Sequence, residues 1–360
     1  MATSNTAPNG MVVTPHHLAT QTAVKILREG GTAMEATVAA AATIAVVYPH
    51  MNSIGGDSFW LIVPPHGDPV AIEACGFGEI FNLPPPTQGL VSQAILGILD
   101  KLRIDGRHEG QFIHATVEAT KQAFVLRDQH ITDPSYMKVD AQSLLGSHAI
   151  SEMASNISLD QVSSVGKGMG PGDTIWMGVM DSKGFSVSFI QSIYHSFGSG
   201  VVLPGTGILW HNRGVSFKLD KNHIRYLEPG KKPFHTLNPP VAILKDGRTM
   251  VYGTRGGDGQ PQTQAAIFHR YVVQGLHLQD SVSLPRWLYG SVTGEKDDTL
   301  KLEGRFCQDT VTYLKQKGHN VVMIPDYSEI VGHAGALVRH TNGMLEGAYD
   351  PRSNGSAAGY

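Results

Sequence analysis

From Ala19 to Arg28 the apolar positions recur at helical spacing, and Gly30-Gly31 interrupts the pattern. Thr32 then stands three residues before Glu35, a spacing at which each side chain can accept a hydrogen bond from the other residue's backbone N–H. A capped helix is therefore predicted over 32–47. Its apolar run, Ala36 to Val47, reads as a buried core helix and falls well short of the roughly 18 residues that suggest a membrane span. Pro49 ends it. After the Gly55-Gly56 turn, Phe59 to Val63 has the apolar, β-prone character of a buried strand, closed by Pro64-Pro65. Pro84-Pro85-Pro86 marks another loop, and helical spacing returns over Gln88 to Leu102 and His114 to Asp128. The first half is thus predicted to be mainly helical.

Between Val162 and Gly172 the pattern lapses into Ser, Gly and Lys, in the run SSVGKGMGPG. With neither periodicity nor apolar mass, this stretch is expected to be an exposed, flexible linker. Strand-like alternation begins immediately after it: TIWMGVMD, a Ser-Lys-Gly turn and FSVSFIQS predict a hairpin. A β-rich half therefore starts at Thr174. The chain has no internal repeat and no low-complexity tract.

Composition narrows the function classes. With 360 residues, 41% of them hydrophobic and 16% charged, the chain can bury one large core or two intermediate ones. A formal net charge of -3 gives no electrostatic reason to expect a nucleic acid partner. Cys75 and Cys307 are too few for a disulfide framework and form no CxxC pair, so a reducing compartment is expected. The first ten residues lack a basic start followed by an apolar stretch, which makes the cytoplasm the expected location and membrane association unexpected. The 17 histidines include no HExxH or similar ligand spacing, and His16-His17 suits a helix start better than a metal site. Neither metal nor cofactor is expected. GGDGQPQTQ is not GxGxxG and lacks the P-loop lysine, which removes a nucleotide reading.

The Asp173-Thr174 junction is the chemically suggestive point. A threonine hydroxyl is a weak nucleophile at neutral pH, but a threonine at a chain's N-terminus carries its own α-amine as the adjacent base. That chemistry needs a cut before Thr174. A glycine-rich approach, an acidic residue at 173 and a strand starting at 174 suit a self-cleavage site, although a loop entering an ordinary strand has the same outline.

A series of motifs in order adds a resemblance. HHLATQTAVKILREGGTAMEATVAAA, YPHMNSIGGDSF, NLPPPTQG, GDTIWMGVMDSKGFSVSFIQS, FGSGVVLPGTGILWHNRG, PGKKPFHTLNPP, GGDGQPQTQ, LPRW and DPRSNGSAAGY span nearly the whole chain. Together they resemble the gamma-glutamyltranspeptidase family, and within it the oxamate-amidohydrolase and glutathione-hydrolase-like branch. The resemblance implies an α+β fold, the αββα sandwich of N-terminal nucleophile hydrolases, with two stacked sheets between helical layers. It implies a large segment, 1–173, and a small one, 174–360, sharing one core and staying associated after autocatalytic cleavage.

The same resemblance assigns roles. Thr174 matches the nucleophile, Ser192 the hydroxyl that hydrogen-bonds it, and Gly256 and Gly257 the pair whose N–H groups stabilise the oxyanion. Taken by themselves, Gly256 and Gly257 also fit an ordinary turn after a strand at Met250 to Gly253. Where glutamyl-specific members grip an α-amino group with amide and carboxylate side chains, this chain has Tyr194, Arg213 and Ser216, and His235 and Thr236 replace a serine pair. A site without a carboxylate but with Arg213 suits a small carboxylate amide such as oxamate, because a guanidinium binds a carboxylate in bidentate fashion. Arg213 as a solvated cation and His235 as a structural histidine remain open readings. Alternative expectations are a glutathione or gamma-glutamyl hydrolase or transferase, and an uncut non-catalytic relative.

The pattern departs from the family at one place. EACGF runs straight into GEIFNLPPP, so a long section of the relatives is missing at a join near Phe77 and Gly78, and Phe77 stands about where a substrate-binding arginine is expected.

Overall fold

The computed structural model describes residues 3–66, 78–165, 168–169, 172–290 and 296–360. Phe77, Cys75 and most of the join therefore lie outside the described residues.

The start of the chain folds as its local signals dictate. His16 caps the helix His17–Arg28, its ring nitrogen accepting from the Leu18 N–H. Thr32 Oγ1 accepts from the Glu35 N–H at 3.3 Å while Glu35 accepts from the Thr32 N–H at 2.7 Å, and this reciprocal cap opens the helix Ala33–Val47. That helix is not buried all round. Ala33, Ala36, Thr37, Ala40 and Ile44 form its inner stripe, whereas Val38 and Val46 are 57% and 76% exposed. Continuous hydrophobicity hid a one-sided helix, because alanine and valine carry too little contrast to mark a face.

Two sheets form the centre. One has five strands in the order Ser356–Gly359, Met11–Thr14, Asp173–Met180, Ser186–Tyr194 and Asp57–Val63. The other has six, in the order Asn5–Ala7, Leu345–Tyr349, Ala334–Arg339, Thr249–Thr254, Val241–Leu244 and Gly78–Phe81. Neighbouring strands in both are antiparallel.

Alternation along Asp173–Met180 explains the layering. Ile175, Met177 and Val179 point to the first two helices, where they pack with Ala23, Leu27, Ala36 and Ile44. Trp176 and Met180 point the other way and meet Val251, Leu337 and Val241 of the second sheet. Glycine is required opposite Trp176, since a Cβ on Gly253 or Gly335 would come within 2.3 and 2.6 Å of its ring atoms. The far face of the six-stranded sheet is covered by the helices Gly89–Lys101, Glu109–His130 and Gly259–Phe268 through Met250, Tyr252, Ala336 and Val338. The result is helices, sheet, sheet, helices.

Part of the expected linker is structured. Gly168–Met169 pairs antiparallel with Lys296–Asp297, and the Val162 N–H donates to the Lys317 carbonyl, so backbone pairing supplies an anchor that side-chain composition did not announce. Among the described residues no helix is long and apolar enough to cross a membrane.

Candidate active site

Thr174 and Ser192 lie opposite each other on adjacent strands, both almost fully buried. The register slips between Asp173 and Thr174: Thr174 faces Ser192, but Asp173 faces Tyr194, leaving Ile193 as the extra residue of a bulge. Tyr194 takes φ = 79°, an uncommon backbone state for a bulky residue and one that marks local strain. Through the bulge, the carbonyl of Asp173 meets a side chain. Thr174 Oγ1 donates to Ser192 Oγ at 3.2 Å, Ser192 Oγ donates to the Asp173 carbonyl oxygen at 2.6 Å, and the Tyr194 N–H donates to Ser192 Oγ at 2.8 Å.

The glycine pair closes the other side. Gly256 and Gly257 have φ of 121° and 52°, conformations that glycine adopts without Cβ strain, between the strand Thr249–Thr254 and the helix Gly259–Phe268. Gly172 lies against Gly257, and a Cβ on Gly172 would stand 3.2 Å from Gly257 Cα and 3.4 Å from its nitrogen. Gln88, from NLPPPTQG, braces the turn by donating to the carbonyls of both Gly257 and Thr236 at 2.9 Å. Arg127 in turn donates to Gln88 Oε1 and pairs with Asp258 at 2.7 Å.

Arg213, Tyr194 and His235 converge on the same strands, whereas Thr236 is placed by its carbonyl, which accepts from Gln88. Arg213 opens a short 3-10 turn, Arg213–Ser216, is 1% exposed, and lies 4.4 Å from the Tyr194 ring centroid. Its Nε donates to Asp57 Oδ2 at 2.7 Å, and Asp57 sits directly across from Ser192. The expectation of a site free of carboxylates is therefore overturned. Asp57 lies 156 residues from Arg213, so no local signal in the sequence pairs the two. His235 Nδ1 stands 3.8 Å from the same carboxylate. Arg213 is no solvated cation: it is buried, and neither Nη1 nor Nη2 makes a hydrogen bond among the described residues. Ser216 Oγ and His235 Nδ1 are likewise buried without a hydrogen-bond partner. Burial pulls the guanidinium of Arg213 below its usual pKa, with Asp57 opposing the shift.

A second charged group surrounds the junction and was also overlooked. Arg255, immediately before the glycine pair, donates from Nη1 to Asp173 Oδ1 at 2.9 Å, and the Ser196 hydroxyl donates to Asp173 Oδ2. From Nη2 it donates to the Glu329 carbonyl at 2.9 Å and to Glu329 Oε2 at 3.1 Å.

One group of metal-ligand type also assembles among the described residues: His114, Glu118 and His319, with ligand atoms within 4.8 Å of one another. These atoms already have protein partners. His114 Nδ1 meets His319 Nε2 at 2.8 Å, His114 Nε2 meets the Ser158 carbonyl at 2.9 Å, and Glu118 accepts from Lys121 Nζ at 2.7 Å and the Ser163 N–H at 2.9 Å.

The buried histidines give the protein an acid-sensitive window. Desolvation pulls His235, His319 and His333 down from 6.5 to about 3. In the unfolded chain each takes a proton as the pH drops through 6.5, whereas in the folded state each resists until about 3, so the unfolded state binds more protons between those limits. Stability is thus lost as the pH falls through this window. Calorimetry at matched ionic strength is expected to show Tm falling between about pH 7 and pH 5. A flat Tm there would mean that the rings gain partners on protonation.

The layered arrangement is that of an N-terminal nucleophile hydrolase fold. A cephalosporin acylase from Bacillus halodurans shares it with a TM-score of 0.89, covering 100% of this chain and 97% of that one at 23% identity. The chain belongs to the gamma-glutamyltranspeptidase family, whose sequence profile, described as gamma-glutamyltranspeptidase, matches residues 19–78 and 77–360. It is 42% identical to the oxamate amidohydrolase proenzyme of Klebsiella pneumoniae subsp. pneumoniae, covering 100% of both, in an alignment of 528 residues against the 360 of this chain. It is 40% identical to the glutathione hydrolase-like YwrD proenzyme of Bacillus subtilis over 81% of this chain and 55% of that protein. The glutathione hydrolase proenzyme of Escherichia coli is 26% identical over 78% of this chain, which spans about half of that relative (51%). The two profile matches meet at 77–78, where the join falls.

Proposed function

We propose that the chain is an autoprocessing amidohydrolase that cuts itself between Asp173 and Thr174 and then uses Thr174 to hydrolyse the amide of a small carboxylic acid such as oxamate. The observation that carries the reading is the run of hydrogen bonds from Thr174 Oγ1 through Ser192 Oγ to the Asp173 carbonyl. It supports the reading because a hydroxyl lies next to the peptide bond of the proposed cut and a second hydroxyl donates to the oxygen on which charge would develop. Attack by Thr174 Oγ on the Asp173 carbonyl carbon breaks the C–N bond, the nitrogen takes a proton, and water hydrolyses the resulting ester. The freed α-amine of Thr174 then serves as base for its own hydroxyl. In turnover, Gly256 and Gly257 hold the oxyanion, ammonia leaves, and water releases the acid.

Arg213 favours a short carboxylate. Its unpartnered Nη1 and Nη2 offer the two parallel donors that a carboxylate accepts; Tyr194, Ser216 and His235 border the same position, and Thr236 follows His235 in the chain. The two cysteines favour a reducing compartment, so we place the reaction in the cytoplasm.

Purified cut protein is expected to release ammonia from oxamate, and Arg213→Lys to raise KM about tenfold or more with a smaller change in kcat, because lysine cannot reproduce the bidentate contact. A gamma-glutamyl anilide preferred over oxamate would move the assignment to the glutathione-hydrolase alternative. Product formation stimulated by added dipeptide would mark acyl transfer.

A further inference from the structure

We propose that Arg255 and Ser196 form a carboxylate subsite of the acyl pocket, filled by the Asp173 side chain in the uncut chain and by a substrate's distal carboxylate after the cut. The proposal rests on Thr174 being the nucleophile. The favoured substrate class is then the monoamide of a four-carbon dicarboxylic acid, succinamate being the simplest.

The argument starts from the ester formed during self-cleavage. When Thr174 Oγ displaces the Thr174 nitrogen from the Asp173 carbonyl carbon, Asp173 becomes an acyl group on Thr174 Oγ. An amide substrate forms the same kind of ester after its amine has left, so the position of Asp173 marks where a substrate's acyl portion sits. In Asp173 the side-chain carboxylate is separated from the attacked carbonyl carbon by two carbons, Cα and Cβ. Succinamate has this spacing, whereas in oxamate the two carbonyl carbons are bonded directly.

The subsite is built rather than incidental. Both Asp173 oxygens are held, one by Arg255 Nη1 at 2.9 Å and one by the Ser196 hydroxyl. Arg255 is independently fixed through Nη2 by the Glu329 carbonyl and carboxylate, so its orientation does not depend on Asp173. Gly172 lies against Gly257, which means that the segment before the cut covers this glycine while the chain is intact. Departure of that segment uncovers Gly257 and leaves Arg255, only 9% exposed, with the largely exposed Glu329 as its remaining carboxylate partner. A buried cation stripped of a partner is costly, and an incoming carboxylate restores the pairing. Arg213 and Arg255 would then divide substrates by length, Arg213 meeting a carboxylate adjacent to the amide and Arg255 one two carbons further out.

Binding can be tested without turnover. Succinate is titrated calorimetrically into the full-length Thr174→Ala chain and into the Asp173→Ala/Thr174→Ala chain, both checked for folding by Tm. The double variant, its subsite vacant, is expected to bind succinate about tenfold or more tightly than the single variant, and adding Arg255→Gln is expected to abolish the gain. Equal binding by the first two, or a gain that survives Arg255→Gln, overturns the proposal. The cut parent chain, titrated in the same way, supplies the vacant subsite if the double variant fails to fold. A further arm compares succinamate with butyramide, which has the same chain length but no carboxylate. Ammonia from oxamate with no preference for succinamate would sink the subsite and leave the nucleophile standing. A parent chain that stays uncut would sink the nucleophile, and the titration would still decide the subsite.

Discussion

Replacing Thr174 with alanine is expected to leave one chain of 360 residues where the parent gives two fragments, the second beginning at Thr174. The effect should be close to all-or-none, because the hydroxyl is at once the group that attacks the peptide bond and the group that later carries the acyl portion. The nearby Ser192 hydroxyl does not replace it, being already committed to the Asp173 carbonyl at 2.6 Å and accepting from the Tyr194 N–H. Amidase activity is expected to fall about 10⁴- to 10⁶-fold, as when the nucleophile is removed from other covalent hydrolases. Intact-mass measurement of parent and variant decides it. Two fragments from the variant, or a parent cut elsewhere, would remove Thr174 from the mechanism.

Ser192→Ala should give the next largest loss, slowing self-cleavage about 10²- to 10³-fold, the usual cost of losing one donor to a developing oxyanion. The substitution deletes the donor to the Asp173 carbonyl and the acceptor for Thr174 Oγ1 together. It also leaves the Tyr194 N–H without that acceptor, so Tm must be measured in parallel to separate chemistry from folding. Ser192→Thr, which keeps the hydroxyl, is expected to recover most of the rate. The time course of conversion, followed by mass from freshly made precursor, is the readout. Alanine cutting at the parental rate would break the proposed relay.

Local signals were readable in the sequence and non-local ones were not. The reciprocal cap of Thr32 and Glu35 and the hairpin after Thr174 depend on residues a few positions apart, and both formed over nearly the expected bounds. The layered fold was accessible only through the motif resemblance, because no local pattern states which strands pair across 342 residues, as Asn5 and Gly347 do. The same limit hid two charges at the site. Asp57 was visible in GGDSF but had no announced partner until the sheet set it opposite Ser192 beside Arg213. Arg255 looked like a residue before a turn, and its role at Asp173 appears only when two strands bring 173 and 255 together. Ala36 to Val47 erred in the opposite direction: uniform apolarity suggested complete burial, and the exposed Val38 and Val46 show that one face had no sheet to cover it.

The position of the proposed cut within the five-stranded sheet has a topological consequence. The strand Asp173–Met180, which carries Thr174, is bordered by Met11–Thr14, and its hairpin mate Ser186–Tyr194 is bordered by Asp57–Val63, so strands from before the junction clasp the hairpin on both sides. A nick at 173 would sever the chain without separating the pieces, which remain interleaved through backbone ladders. The intact precursor can fold as a unimolecular event, but the nicked product, once unfolded, must find its other half by diffusion. Maturation would therefore be a one-way passage: the linear chain writes the fold, and the product keeps it only for as long as it never comes apart.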